Sequence, residues 1–357
     1  MRGMGRGAIV LAGALALAGL ARAEDAGRPL RVIGEAPGAA DPAPKRFVID
    51  AEIKAGDAAF QSTVHGWFAA LGENPTSGEV EGSCVEARCA LSVDLDEGKL
   101  AITGDLAGPG APGGGQFVLK SDEDDAKAKS QGPVSFTAIR GPIDSVGELA
   151  APDAVSGREF GELLLWSGNG GGFSNADDPW PDDTQREALA SWQGSNQRPV
   201  TGLITVADLQ ALRASAQAAK AKAGWTPLGG RAQGWSAGYP AALLPKAGPP
   251  GAERRFESAD GKAVLVVTVG PALADAAMDA LMDEIKGHEG VNYSRVNDDL
   301  EYDYEEKGVV TSGAYHGQEH GSVKLVFSYP SAAADTYAEY KTILPKSLRV
   351  EDDVGGK

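Results

Sequence analysis

The sequence predicts a multidomain α+β protein in three parts: an antiparallel β domain, a central three-helix bundle, and a C-terminal antiparallel sheet with helices on one face. Three observations carry this reading. Residues 46–143 hold short runs that alternate apolar and polar positions, as Leu91, Val93 and Leu95 do against Ser92 and Asp94. Residues 159–222 change to the three- and four-residue spacing of helix faces. Residues 224–352 return to strands and interleave them with two helical runs.

Residues 1–23 read as a secretory signal. Arg2 and Arg6 precede the apolar stretch from Ala8 to Leu20, and Ala21-Arg22-Ala23 is a small-x-small cleavage site. The mature chain then begins near Glu24, in the periplasm or outside the cell. No later apolar run reaches membrane-spanning length, so no membrane insertion is expected after cleavage. Residues 24–45 are rich in Ala, Pro and Gly without a period and read as a flexible linker. In the β domain, Asp96-Glu97-Gly98-Lys99 turns the chain between Leu95 and Leu100, making a hairpin. Phe47-Val48-Ile49, Phe117-Val118-Leu119 and Val134-Ser135-Phe136 add strands, while Pro109–Gly115 and Asp122–Gln131 read as loops. Cys84 and Cys89, the chain's two cysteines, are separated by four residues, and export makes a local disulfide the expected state. His65 is the nearest further metal ligand, and a lone His beside Trp67 and Phe68 reads as structural. Residues 144–158 form a second linker.

In the central part, Phe160, Leu163, Leu164 and Trp166 mark a first helix that the glycine run from Gly168 stops. Asp183 or Thr184 caps a second helix carrying Leu189 and Trp192. Pro199-Val200-Thr201-Gly202 turns the chain, and Thr205 caps a third helix carrying Leu209 and Leu212, which ends at Gly224. Thr184, Ala188-Leu189, Trp192-Gln193, Val200-Thr201-Gly202, Ile204-Thr205, Leu209 and Leu212 together resemble the three-helix peptidoglycan-binding-like domain of many bacterial wall enzymes and envelope proteins. The usual Asp-Gly-x-Phe-Gly turn is replaced by Asp177-Asp178-Pro179-Trp180-Pro181. The resemblance implies docking to peptidoglycan, and Asn169, Trp180 and Arg186 are the candidate ligand contacts by chemistry and position.

In the C-terminal part, Arg254–Phe256, Val264–Val269, Val309-Val310 and Val323–Phe327 read as strands. Leu273, Ala277, Leu281 and Ile285 mark a helix that Pro271 starts. A second begins at Ser331 and ends before Pro345. With Gly234-Trp235-Ser236 and Tyr239-Pro240 leading in, this order is similar to the PsbP/Mog1-like fold.

Charge narrows the function. The chain carries 33 basic and 50 acidic residues, a formal −17, and signal removal takes three arginines away. That balance repels nucleic acid and anionic lipid. Gly234-Trp235-Ser236-Ala237-Gly238 matches a hydrolase elbow but lacks the buried strand before Ser236 and the helix after it. His316-Gly317-Gln318-Glu319-His320 matches an inverted zinc-peptidase pattern, yet Gly317 and Gly321 place it at a hairpin turn. The acids from Asp298 to Glu306 read as a solvated face. The sequence therefore predicts a non-catalytic envelope protein with no cofactor, metal site or catalytic residue. Its expected partner is peptidoglycan; the alternatives are an envelope protein or, on Ser236, a secreted hydrolase.

Overall fold

A computed structural model describes residues 28–55, 61–72, 76–86, 88–105, 113–121, 128–144, 146–151, 153–169, 182–230, 234–296, 299–318 and 321–350. The signal sequence expected at 1–23 lies outside these residues. The chain divides into two compact units, 1–161 with 171–211 and 162–170 with 212–357.

Alternation builds the first unit. Strands β1 (Arg28–Glu35), β2 (Arg46–Ala55), β3 (Gln61–Ala70), β4 (Ser77–Val85), β5 (Arg88–Leu95), β6 (Gly98–Asp105), β7 (Gly113–Lys120) and β8 (Ala128–Ala138) run as an antiparallel meander. The meander closes when β1 pairs with β8, Val32 opposite Ala138 and Gly34 opposite Phe136. Closure leaves no edge for another chain to extend. The inward set fills the barrel: Phe47 packs on Phe68 at 5.0 Å between ring centroids and edge-on to Phe136 at 6.4 Å. Gly34 lies under the Phe47 ring, where a Cβ would come within 2.2 Å of Phe47 Cζ. Cys84 and Cys89 are directly opposite in β4 and β5 and form the disulfide, so the bond clamps that hairpin itself.

The strand β1 corrects the linker expected over 24–45. Leu30 and Val32 face the core from within an Ala/Pro/Gly-rich neighbourhood that masked their alternation. Likewise β7 and β8 take in Gly113–Gly115 and Ala128–Gln131, which the composition suggested were loop.

The barrel's outer wall carries a second, smaller core. Val48, Trp67 and Ala69 point outward and meet Ile143, Leu149 and Leu203. Three helices follow: α1 (Gly157–Trp166), α2 (Asp183–Ser195) and α3 (Val206–Ala223). Their positions match the sequence reading closely; Asp182, rather than Asp183 or Thr184, caps α2 by accepting from Gln185 N at 2.8 Å. Gly224, at φ +60°, follows the last residue of α3.

The central three-helix bundle, however, is not formed as a domain. Residues 182–211 belong with the barrel, and the division into units falls inside α1 and α3. The reason is a set of buried polar contacts on the wall. Asp50 Oδ1 accepts from Arg31 Nε at 2.8 Å, and Asp50 Oδ2 meets the Arg186 guanidinium at 3.3 Å. Trp67 Nε1 donates to Thr201 O at 2.7 Å. Gln193 Oε1 accepts from Thr201 N and Gly202 N, both at 2.9 Å, while its amide donates to Leu203 O and Asp208. Gly202 is required twice over: its φ is +65°, and the Trp67 indole lies 2.6 Å from where a Cβ would stand.

The second unit holds a seven-stranded antiparallel sheet in the order β11 (Lys246–Ala247), β12 (Glu253–Glu257), β13 (Val264–Gly270), β17 (Gly321–Pro330), β16 (Val309–Gln318), β15 (Asp299–Glu306), β14 (Asn292–Val296). A three-stranded sheet pairs β18 (Arg349–Val350), β10 (Trp235–Pro240) and β9 (Trp225–Gly230). Helix α4 (Asp275–Lys286) packs Met278, Met282 and Ile285 on Leu300, Tyr302 and Tyr315. Helices α5 (Ala334–Tyr337) and α6 (Tyr340–Ser347) lie against Phe327, Tyr329, Glu301 and Asp303. Neighbouring residues of one strand point to opposite faces. Tyr302 and Asp303 therefore put α4 and α6 on opposite faces, correcting the one-faced arrangement. The α4 stripe also differs from the predicted one, because residues before Asp275 are extended: Leu273 N donates to Tyr315 Oη at 2.8 Å. Helix α6 runs through Pro345 rather than stopping before it.

Replacing Asp50 by Ala would leave Arg31 and Arg186 facing each other without their shared counter-charge. We expect a loss of about 3–5 kcal/mol in unfolding free energy, read from denaturant titration of the purified protein.

Candidate functional site

Of the three candidate ligand contacts, Asn169 and Arg186 lie among the described residues. Asn169, just past α1, donates from Nδ2 to Ser167 O at 3.1 Å. Arg186 is 1% exposed and held by Asp50. Burial lowers its proton affinity while Asp50 and its hydrogen bond raise it. Trp180 lies outside the described residues. Ser236 sits in the middle strand of a sheet, opposite Gly229 on one side and Arg349 on the other, and at no strand-to-helix elbow. His316 ends near Asp299, Nδ1 to Oδ1 3.0 Å, in a β16–β17 hairpin whose Gln318 and Gly321 pair as expected; Glu319 and His320 lie outside the described residues.

A cleft that the sequence reading missed lies on the large sheet. It has a volume of about 280 Å³ between β14, β15, β16 and α6. Strand β15 reads Asp299-Leu300-Glu301-Tyr302-Asp303-Tyr304, and its period of two sends the acids to one face and the apolar residues to the other. On the acidic face Lys341 Nζ donates to Asp303 at 2.9 Å and Lys346 Nζ to Glu301 at 3.0 Å, bracketing the cleft from α6. Asn292 and Ser294 of β14 stand opposite Asp303 and Glu301 in register. The other face is closed by Tyr302, whose ring crosses Gly313. Its hydroxyl is driven toward the neutral form chiefly by burial, then by Tyr304 and Glu284.

Two properties define what the cleft can do. Its walls offer ammonium donors, carboxylate acceptors, a hydroxyl and an amide within one short span. Beside it, β14 is the last strand of its sheet and pairs only with β15 among the described residues. Tyr293 on β14 is 47% exposed.

A second cluster lies on the barrel. His65 of β3 and Glu79 and Glu81 of β4 bring one donor atom each to within 4.8 Å of the others, with His65 Nδ1 3.0 Å from Glu79 Oε1. Asp183 in the first turn of α2 is close enough to act on Glu79. Burial, then Asp183, then Glu81 push the Glu79 carboxyl up to about 7. The folded protein therefore holds a proton there that the unfolded chain releases near the ordinary carboxylate value of 4.5. This contribution is full below 4.5 and is lost as pH rises through about 7. Glu79→Gln keeps the hydrogen bonds without the charge. The variant's stability relative to the parent should rise between pH 5 and 8, a trend checked by melting temperatures of both proteins across that range (about 5 to 8 being where the shifted group titrates).

No protein-family model matches the chain, and no curated protein does. Among solved structures, the chain is similar to cyanobacterial PsbP from Synechocystis, at 13% identity and TM-score 0.25, over 35% of this chain and 92% of that one. A protein from Bacteroides thetaiotaomicron matches at 13% identity and TM-score 0.25, over 36% of this chain and 48% of that one. The Pseudomonas aeruginosa MucA/MucB complex matches at 11% identity and TM-score 0.14, over 94% of this chain and 98% of that one. Likenesses at these scores decide neither fold nor function. Among the described residues no helix is long and apolar enough to cross a membrane, which says nothing of strands.

Proposed function

We propose that this is an exported, non-catalytic envelope protein that works by holding a polypeptide partner. The observation that supports this is the polar cleft beside β14, the last strand of its sheet among the described residues. An extended segment laid along β14 would continue the backbone ladder, and its alternate side chains would fall over Asn292, Ser294 and the two lysine–carboxylate pairs. Main-chain pairing supplies affinity in such an arrangement and the cleft supplies selection. Wall docking, which the resemblance of residues 159–213 implied, has less support: Arg186 is committed to Asp50 and the bundle is not formed.

Site-specific photocrosslinking in the exporting cell tests the reading. A benzoylphenylalanine at Tyr293 should give a discrete protein adduct, while one at Val85, 59% exposed on β4, should not. Charge reversal at Lys341 and Lys346 should remove the adduct. Salt-resistant retention on purified sacculi, with no adduct at 293, would replace partner binding with wall docking.

A further inference from the structure

We infer that His65, Glu79 and Glu81 form a divalent-cation site on the outer wall of the barrel, with Zn2+ the best-suited ion and Asp183 at its margin. The geometry is set by strands, not by a loop. His65 and Glu81 are register partners across β3 and β4, and Glu79 is two residues along the same strand and hence on the same face. All three donor atoms lie within 4.8 Å of one another, close enough to share one ion. A nitrogen donor with carboxylate oxygens is a borderline set that suits zinc better than magnesium or calcium.

The neighbouring charges give a second reason. Glu79 has Glu81 and Asp183 for carboxylate neighbours. Elsewhere this protein sets a cation against a crowded carboxylate: Arg31 and Arg186 at Asp50, Lys341 at Asp303, Lys346 at Glu301. At Glu79 the contact among the described residues is the His65 imidazole, Nδ1 3.0 Å from Oε1, and it supplies a ligand nitrogen beside the carboxylates. An ion held between the three donors would offset the carboxylate charges gathered there.

The test is a calorimetric titration of the metal-stripped, full mature protein with Zn2+ alone at pH 7.5, paired with thermal melts. One equivalent should bind and raise the melting temperature. His65→Ala and Glu79→Gln should each weaken binding by about tenfold or more. His288→Ala and a double His316→Ala, His320→Ala variant should not weaken it, which sets the site apart from the chain's other histidines. All these side chains except His320, which is undescribed, are exposed or partly so, and circular dichroism checks that each variant folds. A flat titration, or binding untouched by His65→Ala and Glu79→Gln, overturns the site.

Discussion

Asp50 projects from a barrel strand into a place closed to water, and the attachment of α2 to the barrel depends on what meets it there. A lone carboxylate in that position would be costly to keep ionised. Arg31, from the neighbouring strand, takes one oxygen and Arg186, from the helix, takes the other. Exchanging the group of three for apolar residues of equal volume would be near neutral in energy, so its value lies in placement more than stability. Arg186 can be satisfied only with α2 against this wall. Trp67 and Gln193 then fix the turn at Thr201-Gly202, and the turn fixes where α3 begins.

This explains why helix positions were legible in the sequence and their assembly was not. Local signals place α1, α2 and α3 well: the glycines after Trp166, Thr205 as a cap, Gly224 as a stop. None of those signals says which surface a helix seeks. The information was present in a subtler form. Gln185, Arg186 and Gln193 lie on the same helical stripe as Leu189 and Trp192, and Asp50 interrupts the run Phe47-Val48-Ile49-Asp50-Ala51. Charges inside an apolar stripe on two elements are the mark of a buried pair. Taken singly, Arg186 reads as a surface contact. Barrel closure was harder still, since β1 and β8 are about a hundred residues apart in the chain (roughly 100, and pairing at that range leaves no local trace) and β1 hides in a Pro- and Ala-rich segment.

The cleft teaches the same lesson from the other unit. The acids between Asp299 and Glu306 look like a solvated run when counted and like a strand when their spacing is used. Leu300, Tyr302 and Tyr304 in the gaps carry one face onto α4, leaving Glu301 and Asp303 for the lysines of α6. The two ion pairs are half-exposed, and each adds about 0–1 kcal/mol at most. Their importance is that they hold charged groups of both signs at fixed places beside the last strand of the sheet. On the proposed reading, a partner's side chains would exchange with them at little cost.

A crowded carboxylate is made tolerable by a counter-charge or by keeping its proton, and three arrangements are visible here. Deep in the wall the answer is two arginines, whose planar groups tolerate burial. At the cleft it is lysines on long, partly exposed stems. On β4 no lysine or arginine among the described residues pairs with Glu79, and burial with its carboxylate neighbours pushes its carboxyl up to about 7. These remedies differ in how easily they yield: the arginines cannot leave without breaking the fold, the lysines can, and the proton leaves with a modest rise in pH. The three carboxylate sites therefore differ in how readily the compensating group can leave, least at Asp50 and more at the lysine pairs and at Glu79.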